Sequence, residues 1–109
     1  MSLMQKSFKE LTIMTEEVAE RFFAAKRMSL SSDLDFLRES EREKLPYDFY
    51  LKKVEDAYET LNEREKNLIN NEFFFQNYHY WWVGLYSKTS FYRFKRRAML
   101  KFLEAFYHA

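Results

Sequence analysis

Between Phe8 and Met28 the apolar residues Leu11, Met14, Val18, Phe22 and Ala25 recur at i, i+3, i+7, i+11 and i+14. That spacing draws one stripe along an amphipathic helix. Thr15, followed by Glu16 and Glu17, offers an alternative, later start, with the acids placed on the first turn's dipole. The next stretch, Ser29 to Lys44, has Leu34 and Leu37 at helical spacing behind Ser31 or Ser32 as caps, then turns wholly polar. It predicts a short helix that fades into a charged connector. Pro46 suits the first position of a further helix, where its missing N–H costs nothing, and Tyr50, Val54, Ala57 and Leu61 repeat on one face.

Asn62 with Glu65 makes N-x-x-E, close to a capping box, and Leu68, Ile69 and Phe73 supply the stripe that follows. Asn77 can cap a short helix over 78–85, and Ser87 one running from Lys88 to about Tyr107. On this last helix Phe91, Phe94, Ala98 and Phe102 form the expected inward face, with the cations directed away. Trp81 and Trp82, as neighbours on a helix, point about 100° apart. One is therefore expected in the core and the other on a second surface.

The prediction is thus an all-α protein: an N-terminal helical arm and connector over 4–45, then a helical unit over 46–109. A single glycine and a single proline in 109 residues agree with this, since many-stranded sheets need such residues at their turns. The 20% aromatic content means a core built largely from rings. Ala105, Phe106 and Tyr107 continue the apolar surface past the end of the unit, which suggests a dimer or an arm folding back.

Charge changes the picture. Residues 1–85 carry 12 Lys and Arg against 16 Asp and Glu, whereas residues 86–109 carry 6 against 1. A basic element on an acidic body implies a localised anionic partner. With no cysteine and two isolated histidines there is no metal-ligand spacing, and no cofactor motif appears. Glu16 with Glu20, and Glu39 with Glu43, are i, i+4 carboxylate pairs of the kind helix surfaces carry routinely, so nothing points to an enzyme. The absence of a long apolar run and of a secretory signal predicts a cytoplasmic protein with no membrane partner.

The span from Leu61 to Leu103 reads LNEREKNLINNEF and then YHYWWVGLYSKTSFYRFKRRAMLKFL, about 43 of the 109 residues. It resembles the sigma-70 region 4 type of helix-turn-helix. It is similar as well to the ArpU/RinA-type phage transcription regulators, through the run Y-S-K-T-S-F-Y-R-x-K-x-x-A. The resemblance implies a trihelical unit over 61–107 whose third helix enters the major groove of duplex DNA. Ser87, Lys88, Thr89, Tyr92 and Arg93 then occupy base- and backbone-contacting positions, and Lys95, Arg96 and Arg97 lie nearer the phosphates. It implies a sequence-specific transcription regulator, with RNA polymerase and a second copy of the chain as further candidate partners. Gly84 departs from the pattern. It stands three residues before Ser87, so either the turn is longer or its glycine has moved. A helical protein-protein interaction module, a dimeric adaptor or polymerase-binding factor whose basic helix meets an acidic protein, is the alternative.

Overall fold

A computed structural model describes residues 3–29, 46–75 and 79–108. After a short 3₁₀ turn at Leu3–Gln5 come α1 (Phe8–Ser29), α2 (Pro46–Glu59), α3 (Glu63–Ile69) with a π-helical turn at Asn70–Phe74, and α4 (Lys88–Tyr107). Among the described residues there is no strand. The expected helix behind Ser31 or Ser32 and the Asn77 cap lie outside the described residues.

Local signals act as their chemistry requires. Asn62 accepts the backbone N–H of Glu65 at 2.9 Å, while the Glu65 carboxylate accepts that of Asn62 at 2.8 Å, closing the reciprocal capping box. Ser87 accepts the Ser90 N–H at 3.2 Å and starts α4. At α1 the cap is Ser7, which accepts the Glu10 N–H at 3.1 Å, so the later start at Thr15 is not used. Thr15 is instead fully buried within α1, its hydroxyl returned to the Leu11 carbonyl at 2.8 Å.

The core lies where α1, α2 and α4 meet, with α3 closing one side. Leu11, Val18, Val54, Ala57, Leu68, Ile69, Phe91, Met99, Phe102 and Leu103 belong to one buried cluster. The α1 stripe is therefore covered within the chain. Tyr50 binds α2 to α1 by donating its hydroxyl to the Val18 carbonyl at 3.1 Å, and its ring meets Phe106 edge-on at 5.6 Å. Phe106 is buried by this contact, while Tyr107 remains exposed.

Two local features differ from the periodic reading. At the end of α3 the ladder slips to i→i+5, with Phe75 N–H bonded to the Asn70 carbonyl at 2.6 Å. Asn71 donates its side-chain amide to the Asn67 carbonyl at 2.8 Å, competing for an acceptor the ladder would use. Over 79–85 the chain then runs as successive turns rather than the expected short helix, with Val83 N–H on the Tyr80 carbonyl and Leu85 N–H on that of Trp82. Gly84 has no positive φ, and a Cβ there would meet nothing within 4 Å. Gly84→Ala is accordingly expected to keep the fold and to raise stability by about 0.4–1 kcal/mol through the unfolded chain's entropy, as thermal melting would report. A lowered melting temperature would show that the glycine is needed.

Candidate nucleic-acid interface

The basic stretch is presented by a helix that is also the centre of the core. On α4 the buried side is formed by Phe91, Ala98, Met99, Phe102, Leu103 and Phe106. This is roughly 50° around the helix from the face expected from Phe91, Phe94, Ala98 and Phe102. α1 and α2 pack on this side of α4: the Thr12 hydroxyl donates to Met99 Sδ at 3.7 Å and the Tyr50 ring meets Phe106. Phe94 is left half-buried at the rim, and Lys95 is turned inward.

Lys95 and Trp81 converge on one acid. Lys95 Nζ lies 2.7 Å from Glu72 Oε1, Trp81 Nε1 donates to Glu72 Oε2 at 2.8 Å, and the Lys95 side chain is only 12% exposed. The π turn places Glu72 beside α4 for this purpose. The Lys95 ammonium also sits over the Phe73 ring at 5.3 Å and the Phe8 ring at 5.7 Å. Trp82 stacks on Phe91 at 4.4 Å with 6° between the planes, and Trp81 meets the same ring edge-on at 5.9 Å. Both tryptophans thus address one phenyl ring, contrary to the two-surface expectation. The 100° rule presupposes a helix, and consecutive turns do not obey it.

Arg96 is also held by the protein: Nη2 donates to the carbonyls of Met4 and Lys6, both at 3.0 Å, and so ties the N-terminal turn to α4. Tyr92 is 41% exposed, its ring set against Phe8 at 5.5 Å and near Trp82 at 6.3 Å. The remaining residues form the open face. Ser87, Lys88, Thr89, Arg93 and Arg97 are all exposed, and Thr89, Arg93 and Arg97 follow one another at i, i+4 along the solvent side. The structure therefore gathers these five at the surface and gives Lys95 and Arg96 internal partners.

Three residues of this region were not among the expected contact residues. Glu72 is one. Arg64 is another, donating through Nη2 and Nε to the Tyr86 hydroxyl at 3.0 and 3.4 Å and lying over the rings of Tyr86 and Phe94, each at 5.4 Å. Tyr86, the third, is 22 residues away from Arg64, beyond the reach of any local pattern. Behind them Glu65 accepts Lys101 Nζ at 2.9 Å. Burial pushes the Glu65 carboxyl up, but the Asn62 N–H and the Lys101 ammonium, with Arg97 further off, outweigh it and hold the group below its ordinary value.

Among the described residues no three His, Asp or Glu side chains gather to hold a metal, and no helix is long and apolar enough to cross a membrane. His79 is exposed with its ring edge-on to Tyr80 at 4.7 Å, and His108 ends α4 by bonding its N–H to the Glu104 carbonyl at 2.9 Å. Compared with protein-family models, curated proteins and solved structures, the chain matches none.

Proposed function

We propose that this protein is a sequence-specific, duplex-DNA-binding transcription regulator of phage or mobile-element type, with α4 as the element that enters the major groove. The observation that carries the reading is the open face of α4. Its capped start displays Lys88 and Thr89, and Arg93 and Arg97 continue the same exposed side. Such a helix offers base-reaching side chains at its N-terminal end and cations along its flank for phosphates, and Arg can grip guanine with two hydrogen bonds. Ser87, Tyr92 and the first backbone amides border the same end, where helix N–H groups favour an anion. Lys95 and Arg96 serve this reading by fixing the position of α4. Regulation then comes from occupancy of the site or from contact with RNA polymerase.

Fluorescence anisotropy with duplex DNA over a salt series tests it. Arg93→Ala should lose about 1–3 kcal/mol against a selected site and relax its sequence preference. Arg97→Ala should weaken all sequences alike and lower the magnitude of the salt slope by about one. Absence of wild-type binding even at low salt, or variants that bind as wild type does, would end the DNA reading.

One observation favours the interaction module instead. Tyr80, Val83 and Leu85 expose 59%, 58% and 67% of their surface beside the start of α4, an apolar display suited to a protein partner. On that reading duplex DNA binds negligibly near physiological salt, and the substitutions on α4 abolish capture of an acidic protein.

A further inference from the structure

Beside the open face of α4 lies a notch of about 460 Å³ between the start of α3 and α4, with Arg64, Tyr86, Ser90, Phe94 and Arg97 among its walls. Two guanidiniums are drawn to a single ring there: Arg64 lies 5.4 Å and Arg97 6.0 Å from the centroid of Phe94. Arg64 is braced by its bonds to the Tyr86 hydroxyl, which aim the fork without neutralising it. Arg97 has no hydrogen bond or ion pair among the described residues and keeps its five donors. The one acid in the wall, Glu65, is already met by the Asn62 N–H and by Lys101. The notch is therefore net positive: its one carboxylate, Glu65, is bonded to Lys101 and feels Arg97 only at longer range, and hydroxyl donors at Tyr86 and Ser90 stand beside the two guanidiniums. Planar guanidinium forks match the oxygens of a phosphate group.

We infer that Arg64 and Arg97 form a clamp on one backbone phosphodiester of the DNA, seated in this notch with Tyr86 and Ser90 as flanking donors. The inference rests on the DNA reading above. It adds to that reading a contact from α3, outside the basic segment, and a stoichiometry of two arginines to one phosphate. A single shared phosphate has a distinctive consequence. Removing either arginine removes the contact, so the effects on counterion release do not add.

The experiment measures affinity for a random-sequence duplex across a salt series with Arg64→Ala, Arg97→Ala, the double variant, Arg64→Lys, and Lys52→Ala on the exposed surface of α2 as a control for general charge. Circular dichroism establishes that each is folded. Expected are a fall of about one in the magnitude of the salt slope for each single variant, the same fall of about one for the double variant, and no change for Lys52→Ala. Arg64→Lys, which keeps the charge but loses the fork, should keep the slope and bind on the order of tenfold more weakly. A wild-type slope in Arg64→Ala, or a fall of about two in the double variant, overturns the clamp. A second arm titrates inorganic phosphate against chloride at equal ionic strength and follows the Arg64 Nε–H and the Tyr86 and Ser90 amides by NMR. Shifts there with duplex slopes unaffected by the variants would assign the notch to a free anion and overturn the backbone contact. If wild type binds no DNA, the DNA reading fails by itself. The phosphate shifts then decide the notch: confined to these groups they retain it as an oxyanion site, and their absence removes it.

Discussion

Replacing Phe91 by alanine is expected to cost about 3–5 kcal/mol of folding stability, the range for deleting a buried aromatic ring. Phe91 is 1% exposed and is the ring against which both tryptophans rest, one stacked and one edge-on. Its loss removes core volume and releases the 79–85 turns at once, since Trp82 would face a cavity that a flat indole cannot fill. Two readouts should move together. The melting temperature should fall by more than about 10 °C, and tryptophan emission should shift toward that of solvent-exposed indole. A loss below about 1 kcal/mol with unchanged emission would mean that the tryptophans are held by something other than this ring.

Glu72→Ala should be nearly as damaging, at about 3 kcal/mol, for a different reason. Glu72 and Lys95 are 15% and 12% exposed, and the same carboxylate satisfies the Trp81 indole N–H. Truncating the acid leaves an ammonium in an aromatic enclosure and an N–H without its acceptor, so the cost is mostly that of the groups left behind. It follows that Glu72→Gln with Lys95→Met, which removes both charges and retains an amide acceptor for Trp81, should recover most of the loss. Urea denaturation of the single and double variants measures this. A neutral Glu72→Ala, or a double variant less stable than the single, would contradict the account.

These two sites show what the amino-acid sequence made legible. The bounds of α4, the Asn62 and Ser87 caps and the helix opening at Pro46 could be read directly, because each cap depends on residues within one turn of each other, whereas the start of α1 stayed open between Phe8 and Thr15 until the Ser7 cap decided it. The π turn could not: one inserted residue leaves the apolar spacing of Leu68, Ile69 and Phe73 intact while redirecting Glu72. The turns at 79–85 were hidden because short apolar and aromatic runs look alike in a helix and out of one. The facing of α4 differs from the one its periodicity predicts by roughly half a residue step, for a long-range reason. Met99, Leu103 and Phe106 become interior only when α1 and α2 arrive from elsewhere in the chain, and the same arrival turns Lys95 from a surface cation into an internal one. In the candidate interface, the exposed cations at 88, 93 and 97 were readable from periodicity. Arg64 was not, since its place beside Arg97 is set by packing between α3 and α4.

The rotation of α4 also divides its alphabet in two. Letters at Phe91, Lys95, Ala98, Met99 and Phe102 are spelled by the interior, and altering any one of them alone disturbs buried contacts. Those at Thr89, Arg93 and Arg97 lie on the opposite side, where substitution removes little buried surface. On the DNA-binding reading proposed above, what is recognised can change by exchange of a few outward residues, leaving the scaffold untouched. Variation in a panel of natural or selected descendants would then be tolerated at 89 and 93 and purged at 95, although all three positions lie within the same cation-rich stretch.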